Sequence, residues 1–307
     1  MIGRHRRAGD GFVACACGKR HWGRFGAAGL LVQRGDEVLL QHRAGWSHEG
    51  GTWAVPGGAL DTDETPLAAA LREASEEAAV PAEAVRPRHA WTVDHGTWAY
   101  TTVVSQAIGP ITPQRLDGES EELRWVRTRE VTALPLHSGF AAGWPEVSQL
   151  LARREVVVVD AANVVGSTPD GWWKDRAGAA SRLLAAVASW SRDGVAPGAL
   201  LADVPGRTLA WPDWVVVLEG AAREASLPLD GSADRVPDGA ADVDGDVSHG
   251  VSVHRAEASG DDAIVHVVEQ HRERGATVTV VTADRALRSR VSALGAQTVG
   301  PRALPSR

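Results

Sequence analysis

Residues 58–80 read GALDTDETPLAAALREASEEAAV, a stretch that crowds Glu73, Glu76 and Glu77 into its last third. Residues 65–78 have good helix propensity, and on a helix Glu73 faces Glu76 and Glu77 at the i+3 and i+4 positions, where side chains are neighbours. At about 4 Å and an effective dielectric near 20, each like-charge pair costs on the order of 4 kcal/mol before solvent relaxes, against a few tenths for an ordinary surface pair. A divalent cation held by the carboxylates relieves that repulsion. Taken alone, the three glutamates read first as a solvated acidic helix face.

The surrounding chain has 307 residues, more than one hydrophobic core usually serves, so two domains are expected. A hydrophobic content of 44% with 23% charged residues is that of a globular protein, and no apolar run is long enough to span a bilayer. The N-terminal MIGRHRRAGDGFVACACGKRH is basic but lacks the apolar core of a secretory signal, which predicts a cytoplasmic protein. Cys15 and Cys17 are ill placed for a structural disulfide and fit a reducing compartment. With His21 they offer three soft ligands to zinc. A closed structural site takes four and the usual CxxC spacing is missing, so residues 1–23 read as a flexible basic leader with reduced thiols. The formal charge is −7, about −1 of it through Arg154 and about −6 beyond, and no basic nucleic-acid surface is evident.

Patterning divides the rest. Residues 26–42 predict two strands around the turn QRGDE, with further strands at 52–55, 89–93, 98–107 and 123–126 and helices at 65–78 and 144–153. This is a mixed α+β domain over 24–152. The continuous β-branched run VVVVD then reads as a strand buried on both faces and opens a second domain, 155–307. Its strands at 214–219, 251–254 and 277–282 alternate with helices at 175–192, 261–272 and 284–294, the pattern of a doubly wound parallel sheet. Residues 226–250 read as a long surface loop; DVDGD within it lacks the glycine and glutamate of a calcium loop.

The opening stretch resembles the signature of the Nudix hydrolases: a glycine, five residues, a glutamate, seven residues, Arg-Glu, an apolar residue, any residue, Glu-Glu, any residue, glycine and an apolar residue. Here the matches are Gly58, Glu64, Arg72, Glu73, Ala74, Glu76, Glu77 and Val80. At usages near 7% per residue type, six fixed positions agree by chance at roughly one start in ten million. The preceding WAVPGG and the later ESEELRWV agree as well, so the resemblance covers about residues 24–152. It implies an α/β/α sandwich with a mixed sheet, and hydrolysis of a nucleoside diphosphate joined to another group by attack of water on phosphorus. It also implies that Glu73, Glu76 and Glu77 hold Mg2+ or Mn2+, that Arg72 orients a carboxylate and that Glu64 braces the loop. Such ions neutralise phosphate oxygens and acidify water. One of these glutamates, or Glu121 or Glu122, would be the general base. Ala79 departs from the signature: glycine suits the left-handed turn after a helix, and a Cβ there costs roughly 1 kcal/mol.

Substrate contacts are expected in LQHRAGWSHEGGTWAVPGG, where Gln41, His42, Arg43, Trp46, His48 and Trp53 cluster. Arg43 suits a phosphate and Trp53 a base, with Gly57 and Gly58 beside them; the alternative is ordinary core and loop packing. NTP, ADP-ribose and oxidised dNTP all remain open as substrates.

In the second domain VVVVDAANVVGS ends a strand with Asp160 and then presents Asn163, and VTVVTADRALRSRV ends another at Asp284. Ligands bind at the carboxyl ends of strands in open α/β sheets. GDDAIVHVV adds Asp261 and Asp262 at a helix start, where helix capping is the competing explanation. Together DAANVVG, GWWKDRAGAA, GDDAIV and TADRALRSRV resemble the NYN branch of the PIN-like nucleases, over about residues 155–300. That resemblance implies Asp160, Asp262 and Asp284 as metal ligands, Asn163 as an orienting group, Asp261 or Glu219 as a fourth acid, and RNA as partner. Arg285, Arg288 and Arg290 supply a local basic patch. The function expected from the whole is a Mg-dependent pyrophosphohydrolase coupled to an NYN-type ribonuclease domain. The competing class is a nucleotide-sensing binder whose second domain is catalytically silent.

Overall fold

The computed structural model describes residues 7–167, 171–227, 247–248 and 250–306. The DVDGD segment lies outside them. The chain forms two compact units, one over Met1–Ala152 with Pro205–Thr208 and one over Arg153–Val204 with Leu209–Arg307.

In the first unit a hairpin of β1 (Phe12–Ala14) and β2 (Arg20–Trp22) occupies part of the expected leader. The main sheet follows: β3 (Ala27–Arg34), β4 (Glu37–Arg43), β5 (Trp53–Ala54), β6 (Gly57–Ala59), β7 (Val85–Asp94), β8 (Ala99–Ala107) and β9 (Ser120–Arg127). It is mixed: β3 and β8 run parallel, and the remaining pairs among these strands are antiparallel. Helix α1 (Pro66–Ala78) lies on one face, where Ala69, Ala70, Ala74 and Ala78 pack against Leu30, Val32, Leu39 and Val103. Its small side chains let the helix backbone approach the sheet closely. Trp91 faces the other way and meets Gly143 of α2 (Ser138–Leu151), so helices cover both faces.

α2 begins six residues before the expected start at Trp144. Pro145 sits inside it. The actual start is set by side chains: His137 accepts a hydrogen bond from Gly139 N at 3.2 Å, and Glu49 accepts from Ser138 N at 2.7 Å and from Ser138 Oγ at 2.6 Å.

The second unit contains β10 (Glu155–Asp160), α3 (Ala161–Gly166), α4 (Arg176–Asp193), β11 (Arg207–Ala210), β12 (Asp213–Leu218), β13 (Val247–Ser248), β14 (Val251–Arg255), α5 (Gly260–Glu273), β15 (Thr277–Val281), α6 (Arg285–Ala293) and β16 (Gln297–Val299), with β11 straddling the division between the units. Its sheet runs β13-β14-β12-β10-β15-β16 and is parallel except for β13. β10 explains why the valine run is unbroken. Val157 and Val159 feed the core formed with α4 residues Leu183, Leu184 and Val187, while Val156 and Val158 feed the core formed with Ile264, Val267 and Val268 of α5. Among the described residues no helix is long and apolar enough to cross a membrane.

Glu49 allows a check on the α2 start. Burial is the largest single influence and raises its carboxyl pKa, but the hydrogen bonds from Ser138 together with the nearby His137 and His48 outweigh it and hold the carboxyl below the usual value of 4.5. A carboxylate with a lowered folded-state pKa contributes stability that is present above the unfolded value and lost as pH falls through the folded one. Glu49→Gln is expected to lower stability by about 1 kcal/mol at neutral pH. In denaturant titrations that gap closes as pH is taken below about 4.

Candidate functional site

The first site is built around one arginine. Thr65 accepts a hydrogen bond from Ala68 N at 3.2 Å and Pro66 takes the first helical position, which starts α1 after the loop that carries Glu64. Eight positions after Glu64, Arg72 returns to that loop. Its Nε and Nη2 each donate to Glu64 at 2.7 Å, Nη2 also donates to Ala59 O at 3.0 Å, and Nη1 donates to Glu73 Oε1 at 2.6 Å. Glu64 in turn accepts from Asp61 N at 2.9 Å. Glu73 is 5% exposed and lies against Gly58, where an added Cβ would come within 2.6 Å of its Oε1. Glycine at 58 is therefore what leaves room for the carboxylate.

Glu77, 2% exposed, accepts from Gly57 N at 3.1 Å. Glu76 pairs with Arg7 and stands 3.7 Å from Arg72. Two guanidinium groups thus offset the crowding of the three glutamates. Among the described residues, the all-carboxylate cluster with ligand atoms within 4.8 Å of one another is Glu77 with Asp117 and Glu119. These last two residues were missed in the sequence, although the acidic run DGESEE marks them. All the donors are carboxylate oxygens, which suits a hard divalent cation.

Glu121 and Glu122 lie on β9. Glu121 accepts from Gly45 N at 3.0 Å and pairs with His42 at 3.2 Å, and Glu122 stands 3.8 Å from Arg124. Arg43 donates to His48 O at 3.2 Å. Trp53 is buried, with the Arg124 guanidinium 4.4 Å from its ring centroid and the His42 ring at 4.9 Å. A further group absent from the sequence reading is Tyr100. Burial raises its hydroxyl pKa, Glu77 and Glu73 add to the rise, and Arg43 opposes it. Gly29 makes space for that hydroxyl, since a Cβ there would meet it at 2.3 Å.

Ala79 ends α1 at φ 54°, ψ 36°, in the left-handed region. Ala79 N donates to Ser75 O and Val80 N to Ala74 O, both at 3.2 Å, closing the helix as a glycine would.

In the second unit the acids gather where strand order reverses about β10. Asp160 accepts from Asn163 N at 3.0 Å and from Thr282 Oγ1 at 2.8 Å. Burial nevertheless raises its pKa, and Asp261 and Glu219 raise it further. Asn163 Oδ1 accepts from Ala283 N at 2.7 Å, which ties α3 to the end of β15. Asp284 caps α6 through Leu287 N at 2.8 Å, and Glu219 accepts from Gly260 N at 2.9 Å. At the start of α5 it is Asp261 whose pKa is raised, by burial first and then by Asp284, Glu219 and Asp262, with Arg290 opposing. Asp262, the residue expected as a ligand, is 70% exposed in its side chain and pairs with Arg290 at 2.6 Å. One step along a helix turns a side chain by about 100°, so the two aspartates cannot face the same way.

The profile of the family described as the NUDIX domain matches residues 23–145. The chain is 51% identical over 150 residues to a Mycobacterium tuberculosis protein named "Putative 8-oxo-dGTP diphosphatase 3", covering 45% of this chain and 69% of that one. It is 42% identical over 152 residues to a Bifidobacterium longum protein named "Nucleoside triphosphate pyrophosphatase/Nudix hydrolase fusion protein", covering 47% of this chain and 32% of that one. Among solved structures it is similar to RenU, a Nudix hydrolase from M. smegmatis, at 48% identity and a TM-score of 0.44, covering 47% of this chain and 96% of that one.

The geometry at Ala79 gives a direct test. A left-handed alanine costs about 1 to 2 kcal/mol, while glycine costs roughly 0.5 to 1 kcal/mol in chain entropy. Ala79→Gly is expected to raise stability by roughly 0.5 to 1 kcal/mol, seen as a higher denaturant midpoint at unchanged slope.

Proposed function

The chain belongs to the Nudix hydrolase family, and on that premise we propose that its first unit cleaves the phosphoric anhydride of a nucleoside triphosphate or nucleoside diphosphate derivative. The observation that carries this reading is the Arg72 network, which aims Glu73 at Gly58 and sets Glu64 against the start of the loop. Glu73, Glu76 and Glu77 would hold a divalent ion, Mg2+ or Mn2+, with Asp117 and Glu119 beside Glu77. When bound, such an ion neutralises phosphate charge and makes water more acidic.

The protein's own groups then have separable tasks. Arg72 fixes the direction of Glu73 and neutralises part of the local charge, so the carboxylates are held in place before substrate arrives. The Gly57 N–H holds Glu77 in one orientation. A carboxylate near the attacked phosphorus takes the proton from water; Glu73, Glu76, Glu77 and Glu122 are the residues to compare in that role. Arg43 would contact substrate phosphate and Trp53 would line the nucleotide subsite, with Gly57 and Gly58 allowing close approach. The name of the M. tuberculosis relative makes an oxidised purine nucleoside triphosphate the first substrate to try.

For the second unit we infer an NYN-type site acting on RNA, with Asp160 and Asp284 as ligands and Asn163 orienting. The raised pKa values of Asp160 and Asp261 support Asp261, alongside Asp262 and Glu219, as a member of the acidic set.

Two experiments test these readings. With Mg2+ or Mn2+ and a panel of NTPs, dNTPs, an 8-oxo-dNTP and ADP-ribose, at least one compound should give phosphorylated products. Glu77→Gln should then lower kcat on the order of 100-fold or more. Tight binding without turnover by a folded protein would instead identify a nucleotide sensor. Labelled single-stranded RNA should be cleaved by the wild type and not by Asp160→Asn; equal cleavage by both would trace the activity to a contaminant.

A further inference from the structure

The hairpin of β1 and β2 turns through Cys15–Lys19, with Cys15 N donating to Lys19 O at 2.9 Å and Gly18 N to Cys15 O at 3.0 Å. Gly18 takes φ 80°, the left-handed conformation that lets so short a turn bring both sulfurs to one side. His21, on β2, places Nε2 3.1 Å from Cys17 Sγ. The fourth member comes from far along the chain. His95 sits in the turn between β7 and β8, where its backbone N donates to Trp98 O at 2.9 Å. One ligand atom from each of Cys15, Cys17, His21 and His95 lies within 4.8 Å of the others.

We propose that these four residues form a structural zinc site that fastens the N-terminal hairpin to the turn between β7 and β8. The donor set, two thiols and two imidazoles, is one that structural zinc takes as a closed tetrahedron. Bond lengths of about 2.3 Å to sulfur and about 2.0 to 2.1 Å to nitrogen put tetrahedral ligands roughly 3.3 to 3.8 Å apart, so the cluster needs only a small contraction. Both cysteines are free thiols, and the buried Nδ1 of His95 makes no hydrogen bond among the described residues.

The surroundings orient the ligands as an outer shell does. The His21 ring stacks on Trp98 with centroids 4.1 Å apart at 11°, and Trp98 Nε1 donates to Trp22 O at 3.0 Å. Thr97 Oγ1 donates to Cys15 Sγ at 3.5 Å and accepts from Ala16 N at 3.2 Å. This site stands apart from the carboxylates of the proposed hydrolase and does not depend on that reading.

The full chain, produced with a tag free of histidine and purified without chelator, should carry about one zinc per molecule by elemental mass spectrometry. Its two thiols should resist a thiol reagent until a chelator is added. Cobalt exchanged into the site should show the visible bands of tetrahedral coordination with thiolate charge transfer, a readout that needs no variant. His95→Gln should weaken zinc binding at least about tenfold in competition with a chromogenic chelator. Protein that neither retains nor takes up zinc, a Cys15–Cys17 disulfide in freshly purified reduced-lysate material, or a folded His95→Gln protein that holds zinc as tightly as wild type would each overturn the proposal.

Discussion

The guanidinium of Arg72 is the constraint on which the first unit's acidic site turns. Its donors reach Glu64, Glu73 and the carbonyl of Ala59 at once, joining a loop, a helix and a strand end. A flat, rigid fork is required for that geometry, and a lysine point charge cannot reproduce it. Once the fork is in place, Glu73 has one direction in which to point, and the residue it points at must lack a side chain. Gly58 meets that demand, and its neighbour Gly57 passes close to the backbone of Ala28 and Gly29. The signature spacing is therefore a record of steric and hydrogen-bonding demands between the end of β6 and the third turn of α1.

Glu73 and Asp160 are held by different means. In the first unit Glu73 pairs with the Arg72 guanidinium, so part of the charge crowding is offset within the fold. In the second, Asp160 is held by a backbone amide and a hydroxyl, neither of which carries a full charge. The raised pKa of Asp160 follows from that difference: desolvation outweighs two neutral donors. An acid held this way costs stability at neutral pH, which a fold tolerates where the group has another use.

Much of this architecture was legible because its signals are periodic or chemically singular. The valine run of β10 predicts a strand with two buried faces, and the helix bearing Glu73, Glu76 and Glu77 falls within one residue of its expected bounds. What escaped detection depends on contacts distant in sequence. β7 starts at Val85, four residues before the expected position, and carries Pro87 beside a register shift that its pairing with β8 accommodates. α2 starts at Ser138 because Glu49, 89 residues earlier, receives its first N–H. His95 cannot be linked with Cys15 and Cys17 by any local spacing rule, since only the pairing of β7 with β8 carries it there. Asp261 and Asp262 are adjacent in sequence, and the ion pair with Arg290 that distinguishes them appears only when α5 and α6 are packed.

The placement of β10 at the centre of a parallel sheet also has a consequence for synthesis. Four successive valines emerge with both strand edges open; β12 covers one, and the other waits for β15, as the 122-residue separation of Asp160 and Thr282 records. At about 5 to 20 residues per second, that interval is roughly 6 to 24 s, during which a β-branched edge is available to other nascent chains. The pairing of β15 covers that edge, and Thr282 just beyond it supplies the hydroxyl that orients Asp160. For this unit, covering that edge and orienting Asp160 depend on the same strand.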